Sequence, residues 1–593
     1  MIQEFDFTDL GGGLNEGEAW NDIMPNQATV LRNYYPFGKK LVKRGGTRKI
    51  TTSAPWDQNA YSMFPFKVDV DTWALLLGGQ DKFGRLDGNS VSDLTGPGIT
   101  SGTGTWCFFQ YQGYAYAMRE SSGQLFRMDQ YFWNTAGLAA PSTAPTIAQG
   151  AAGNLTAANY YAVVTFYNST TGIESNPSPA SSVLALAGSK TIDWSGIPVS
   201  ANGFVTARRL YRTLPGQVGE YFFVGQINDN TTTTYSSENV IIADMGRAVS
   251  FNNGVPPAQL TVGVIWRERL FCTDGTDLFY SEYLLPECFG DESILSIYPD
   301  DGHVIRAVHA FGDRLIIGKT NKIHYLVGAD RSSFNVLTLS DRHGCLSHHS
   351  MKSAEGQLFW YGSGNNFYRS DGNSVQEISS VALRSTLDNV PDNRVDQIVS
   401  EIYPSLGWYV TTLPQGAGNN SVVVVYNYKT NAWSIFDHPT DAPQFFCEFF
   451  DENLEQQLMA TFYDGHVYQY QDASYFTDWG NPIECEYISG ANDFGHPGYR
   501  KAIQEVWVNC PRVIGGTVDV SIYNDEDTTP IVADRSVSVD IASSAWKPFK
   551  LPVSGSPGTQ IRFGIKQSDA SAFELTALHY RVNQLARRPG QPR

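Results

Sequence analysis

Between Pro257 and Phe476 the chain repeats itself, and that repetition limits what it can fold into. Short apolar runs recur, each carrying an aromatic residue and followed by a turn rich in Asp, Gly and Asn. They are LFYSE around Tyr280, IHYLVG around Tyr325, NFYRSDGNSV around Tyr368, VVVYNYKTNAW around Tyr426 and HVYQYQD around Tyr468. The step is about 40 to 45 residues, the length of a four-stranded propeller blade. One step is longer because it holds the Gly/Asn-rich loop Pro414 to Asn420. Earlier in the chain, Gly84 to Val91 matches Tyr368 to Val375 at six of eight positions. Phe83 and Phe126 continue the series of aromatic anchors. The spacing predicts a β-propeller of about seven blades, or six or eight if a blade is split across the chain ends. Each anchor is expected to serve packing between blades rather than a ligand.

Composition agrees with many short strands and tight turns. The 31 Tyr, 33 Phe and 13 Trp suit a pleated surface, and 55 Gly supply turns. No stretch keeps helical periodicity over three turns with caps, so the class is mainly β. A length of 593 residues exceeds one core. The balance of 42 basic against 60 acidic residues, a net charge of −18, argues against non-specific binding to nucleic acid or an anionic bilayer. Seven cysteines are dispersed with no metal-ligand spacing and read as buried thiols made in a reducing compartment. No signal peptide or membrane span is visible, so the expectation is a soluble product made in the cytoplasm.

Taken in order, residues 1–50 form an N-terminal arm with Gly11-Gly12-Gly13-Leu14-Asn15 and a basic cluster, Arg32, Lys39, Lys40, Lys43, Arg44, Arg48 and Lys49. The cluster either pins a solvated loop or docks on a neighbouring subunit or adaptor. On the docking reading, removing residues 1–48 should leave a folded protein. Residues 51–140 hold the first blades. A linker-like Ala140-Pro141-Ser142-Thr143-Ala144-Pro145 then opens a segment, 141–255, with strands at Tyr160–Tyr167, Arg208–Arg212 and Tyr221–Gly225. Alternating strands at that spacing indicate a β-sandwich, and the segment resembles a fibronectin type III-like domain inserted between blades. Residues 256–480 supply the remaining blades. Period-2 alternation in 481–582, as in Val518-Asp519-Val520-Ser521-Ile522-Tyr523, predicts a C-terminal β-sandwich, and 583–593 a basic tail.

No catalytic constellation stands out. Propellers host glycosidases, whose two carboxylates must converge. Asp300, Asp301, Asp313 and Asp341 are candidates, although Asp in Asp-Gly turns ordinarily serves turn geometry. The Asp box of sialidases is absent. Adjacent His348 and His349 would point to opposite faces of a strand, and the acidic loop Asn524-Asp525-Glu526-Asp527 fits no EF-hand. The reading is a non-enzyme with no metal and no cofactor.

Gly12-Gly13-Leu14-Asn15, Leu31-Arg32-Asn33 and Lys43-Arg44-Gly45-Gly46-Thr47-Arg48 resemble the opening of tail hub, or nozzle, proteins of short-tailed bacteriophages. That resemblance implies a structural protein of the virion tail, assembled in the host cytoplasm. Six copies would form a conduit below the adaptor ring, with tail fibres or spikes as partners. DNA would pass through the lumen without sequence-specific binding, and there would be no stable membrane insertion. An acidic wall would repel phosphate within the short range that screening allows. The alternative is a glycan-binding propeller or polysaccharide depolymerase.

Overall fold

The structure is a computed structural model that describes residues 2–587 except 57–58, 60, 120–122, 417, 452, 511–515, 526, 539–545 and 551–556. The end of the expected basic tail, residues 588–593, and Glu526 of the acidic loop therefore lie outside the described residues. The fold is mainly β. The chain divides into two compact units, Met1–Trp106 with Phe311–Gly328 and Phe334–Arg593, and Cys107–Ala310 with Ala329–Ser333.

In the first unit, four-stranded antiparallel meanders follow one another. One comprises Ser62–Lys67, Trp73–Gly78, Phe83–Asp87 and Ser90–Asp93. A second comprises Lys352–Ala354, Gln357–Gly362, Asn366–Ser370 and Val375–Glu377. A third runs Val399–Tyr403, Trp408–Pro414, Asn420–Asn427 and Ala432–Asp437. In the second of these, the Asp-Gly-Asn turn closes a hairpin by side-chain chemistry. Asp371 Oδ1 accepts the backbone N–H of both Asn373 and Ser374 at 2.9 Å, an Asx turn. The anchors Phe83, Tyr368, Tyr426 and Tyr468 each lie buried on the third strand of a meander. Tyr325 also lies on a third strand but is half-buried, its ring covered by the Arg314 guanidinium at 4.7 Å. Neighbouring meanders share cores. Met63, Leu75 and Leu77 meet Val399, Phe445 and Met459 in one cluster, and Trp408, Val423 and Phe436 meet Phe446, Leu458 and Tyr468 in another.

Residues 1–50 are not a free arm. Five strands are woven into the unit: β1 (Ile2–Phe7), β2 (Ala28–Arg32), β3 (Tyr34–Phe37), β4 (Lys40–Lys43) and β5 (Gly46–Lys49). β1 pairs with Ala577–Arg587, and β3 and β4 form a hairpin continued by Glu574–Leu575. β5 is the fourth strand of the meander Phe445–Phe450, Gln456–Thr461, Val467–Asp472. β2 joins two regions. It pairs parallel with Ala432–Asp437 and antiparallel with Cys485–Ser489, producing a nine-stranded sheet that runs on through Ile561–Gln567, Thr517–Asn524 and Val532–Ser538. The expectation that residues 1–48 are dispensable for folding therefore fails, because their backbone hydrogen bonds complete sheets built elsewhere in the chain.

The C-terminal region has a second sheet, β1, Ala577–Arg587, Tyr499–Asn509 and Trp546–Lys550. Val506, Val508, Leu578 and Tyr580 from that sheet meet Val518, Val520, Phe563 and Ile565 from the nine-stranded one in a common core.

The second unit contains meanders at Cys107–Tyr111, Tyr114–Met118, Leu125–Met128, Trp133–Thr135 and at Val262–Trp266, Arg269–Thr273, Leu278–Tyr280, Ile294–Leu295. Between them in sequence lie short sheets, among them Ala162–Tyr167, Ala207–Arg212 and Phe222–Ile227, around a core of Ile192, Trp194, Leu210 and Val224. Buried Glu287 accepts from Arg127 Nη1 at 2.7 Å and from the Gly137 N–H at 2.6 Å. Those bonds fix the chain where this segment leaves its meander.

Candidate functional site

A cavity of about 690 Å³ opens in the first unit where β2, the strand Ala432–Asp437 and the C-terminal sheet converge. Two of the basic residues singled out in the sequence, Arg32 and Arg44, line it, with Asp437, His438 and Asp478. The close approaches that form this junction come from the glycine-containing motifs. Gly13 has φ +74°, and a Cβ there would lie 2.9 Å from Ala432 Cβ and from the Trp433 backbone nitrogen. The next residue, Leu14, donates its N–H to the Trp433 carbonyl at 2.9 Å. Asn33, at φ +57°, accepts through Oδ1 from Arg44 Nε at 2.8 Å and from the Asp437 N–H at 2.9 Å. Its Nδ2 donates to the Glu484 carbonyl at 2.6 Å. One asparagine thus links the three segments.

Arg44 is 0% exposed and all five of its N–H groups have acceptors. Nε bonds Asn33, Nη1 bonds the Gly45 carbonyl at 3.1 Å and Asp478 Oδ1 at 3.2 Å, and Nη2 bonds the Asp437 carbonyl at 2.9 Å and Asp478 Oδ2. Asp478 also accepts from the Thr47 N–H at 3.2 Å and its hydroxyl at 3.1 Å. Burial opposes both charges, but each partner overrides it for the other. The Arg44 guanidinium is held above its ordinary value, and the Asp478 carboxyl well below the usual carboxylate range. His438 Nδ1 stands 3.4 Å from Asp478 Oδ2 and its Nε2 is 3.1 Å from the Tyr470 hydroxyl. Burial lowers its pKa despite that carboxylate.

Most of the other basic residues are also engaged within the chain. Lys43 is buried and bonds Gln567 Oε1 and the Asp569 carbonyl, both at 2.6 Å; burial lowers its pKa. Arg32 pairs with Asp437 at 2.7 Å, Lys40 with Glu574 at 2.6 Å and Arg48 with Asp472 at 2.7 Å. Exposed Lys49 lies 5.9 Å from the Tyr468 ring, and Lys39 is exposed at the β3–β4 turn. Lys43 and Arg44 thus have no surface to offer a partner, and any docking contact falls to Arg32, Lys39, Lys40, Arg48 and Lys49. His438 and Asp478 were not legible in the sequence, and Asn33 was legible only as a motif residue. The only local signal was Asn33 itself, next to the first basic residue of the cluster.

The candidate acids of the sequence lie in turns. Asp300 and Asp301 belong to a short 3-10 turn, Pro299–Asp301. The Asp313 and Asp341 side chains are 80% and 79% exposed beside their sequence neighbours Arg314 and Arg342. His348 and His349 sit on a 3-10 turn, not a strand, with their rings 5.3 Å apart. His349 packs on Phe445, and burial pushes its imidazole down to about 3. In the acidic loop, Asp525 Oδ1 braces the Thr559 and Gln560 N–H groups at 2.9 and 3.0 Å. Among the described residues, no three His, Cys, Asp or Glu side chains stand where they could share a metal ion, and no helix is long and apolar enough to cross a membrane. All seven cysteines are buried.

No family model and no curated protein matches the chain. Among solved structures, the computationally designed protein Ika8 aligns at 9% identity over 72% of this chain and 100% of its own, with a TM-score of 0.32. BamB from Moraxella catarrhalis aligns at 9% identity over 73% of this chain and 98% of its own, with a TM-score of 0.30. The extracellular domain of a hybrid two-component system from B. thetaiotaomicron aligns at 8% identity over 88% of this chain and 59% of its own, with a TM-score of 0.26.

Proposed function

We propose that the chain is a structural virion protein, the tail hub or nozzle of a short-tailed phage. Six copies form a DNA conduit at the distal end of the tail and a platform for fibres or spikes. On this reading the meanders are the blades of a propeller of about seven. Residues 141–255 are a fibronectin type III-like insert, and 481–582 close as a β-sandwich. The observation that carries the proposal is what the shared motif residues do. Gly13, Leu14, Asn33, Arg44 and Thr47 belong to the motifs that resemble phage hubs, and each one joins the N-terminal strands to a distant sheet. Their chemistry is spent on holding strands together. The buried ion pair at the cavity is closed on itself, as suits a scaffold and not a reaction centre. Lys39 and Lys49 remain exposed for an adaptor contact. Native mass spectrometry and negative-stain microscopy of the purified chain test the proposal. A six-copy ring with an axial hole is expected, and a monomer at every concentration would overturn it.

A further inference from the structure

The junction contains one titratable side chain that the scaffold reading leaves without a role. The His438 imidazole is 0% exposed and lies within the clamp. Its ring meets the edges of Phe462 and Trp479, both at 6.0 Å, and tilts against Tyr470 at 5.6 Å. The charged and titratable groups facing it are Asp478, Arg44, Asp437 and Tyr470. Asp437 is already paired with Arg32, and both oxygens of Asp478 are taken by Arg44. At 3.4 Å from Asp478 Oδ2, Nδ1 lies beyond good hydrogen-bond geometry. The site is therefore balanced with a neutral imidazole, one buried cation against one buried anion.

We propose that His438 is an acid-sensitive latch: protonation of its ring places a second cation beside Arg44, draws Asp478 away from Arg44 and Thr47, and releases the β5 end of the N-terminal segment from its sheet. The cost of an uncompensated charge in a buried site drives the opening. Water has a route in, because Arg44, His438 and Asp478 all line the cavity. The sign follows from the burial of the imidazole. A base whose folded pKa lies below its ordinary value of 6.5 binds its proton more readily once the site is open. The clamp is fully closed above that value and loosens as pH falls below it. Asp478 is held well below its own ordinary value of 3.8, so its loss comes at more acidic pH and leaves a window for His438 alone. The latch belongs to the single chain and does not depend on six copies assembling.

Hydrogen exchange on the full-length protein at pH 7.5 and 5.5, corrected for intrinsic rates, tests this. The reporters are the amides of Arg44, Gly45, Gly46 and Thr47, which donate to Asn33, Gln471, Tyr475 and Asp478. Thr411, inside the meander Val399–Asp437, is the internal reference. In the wild type, exchange at the four reporters should rise at pH 5.5 relative to the reference, by up to about ten-fold, the ceiling set when the open site titrates at its ordinary 6.5. In H438F and H438Q, neither of which can take up the proton, the ratio should not change with pH. A flat wild-type ratio overturns the latch. So does an undiminished acid response in whichever variant folds.

Discussion

Arg32 and Arg44 are twelve peptide bonds apart, yet burial gives their ion pairs opposite weight. Arg32 and Asp437 are 45% and 37% exposed, so water screens them and the pair contributes at most about 1 kcal/mol. Arg44 and Asp478 are 0% and 3% exposed, and removing one strands the other. R44M should therefore lower stability by about 3–5 kcal/mol, measured by denaturant unfolding, whereas R32M should cost about 1 kcal/mol or less. Equal losses would contradict the clamp. Protonation of the Asp478 carboxylate itself begins only below about pH 4 and proceeds toward its depressed folded value, so the gap between wild type and R44M should narrow further there. The basic cluster was legible in the sequence because Lys and Arg stand out in an acidic chain. Its partners were not, since Arg44 and Asp478 lie 434 positions apart and no local pattern joins them.

Elements with a local cause could be read in advance. The meanders follow from alternating aromatic runs and Asp-Gly turns, which set each hairpin within a few residues. The N-terminal strands could not be read this way. β2 and β5 are short and make sense only against Cys485–Ser489 and Val467–Asp472, whose pairing nothing nearby specifies. The strength of that pairing can be tested at Gly46. A Cβ there would lie 2.3 Å from the Thr477 carbonyl oxygen, which is backbone and cannot rotate away. G46A should cost about 1–3 kcal/mol by thermal unfolding. G98A, where a Cβ meets nothing within 4 Å, should stay within about 0.5 kcal/mol. A chain lacking residues 1–48 should lose its cooperative transition and become protease-sensitive, because four sheets lose strands together.

For the whole molecule, the net charge of −18 is the property that bears on a conduit. A wall of one sign repels phosphate over about 10 Å at moderate ionic strength. On the proposed hub reading, reversing acids at the axial hole of the ring to Lys should slow DNA ejection, read by dye release from particles, while rings still form. Unchanged kinetics would remove electrostatic guidance from the proposal. The pairing of β1 with Ala577–Arg587 also carries a temporal consequence. Ile2 meets Asn583, so β1 must wait for a partner strand made far later in the chain. Until that partner is made, its edge stays open to any passing strand. Crowded polysomes, where unfinished chains lie side by side, are therefore where this protein is most exposed to pairing with the wrong copy.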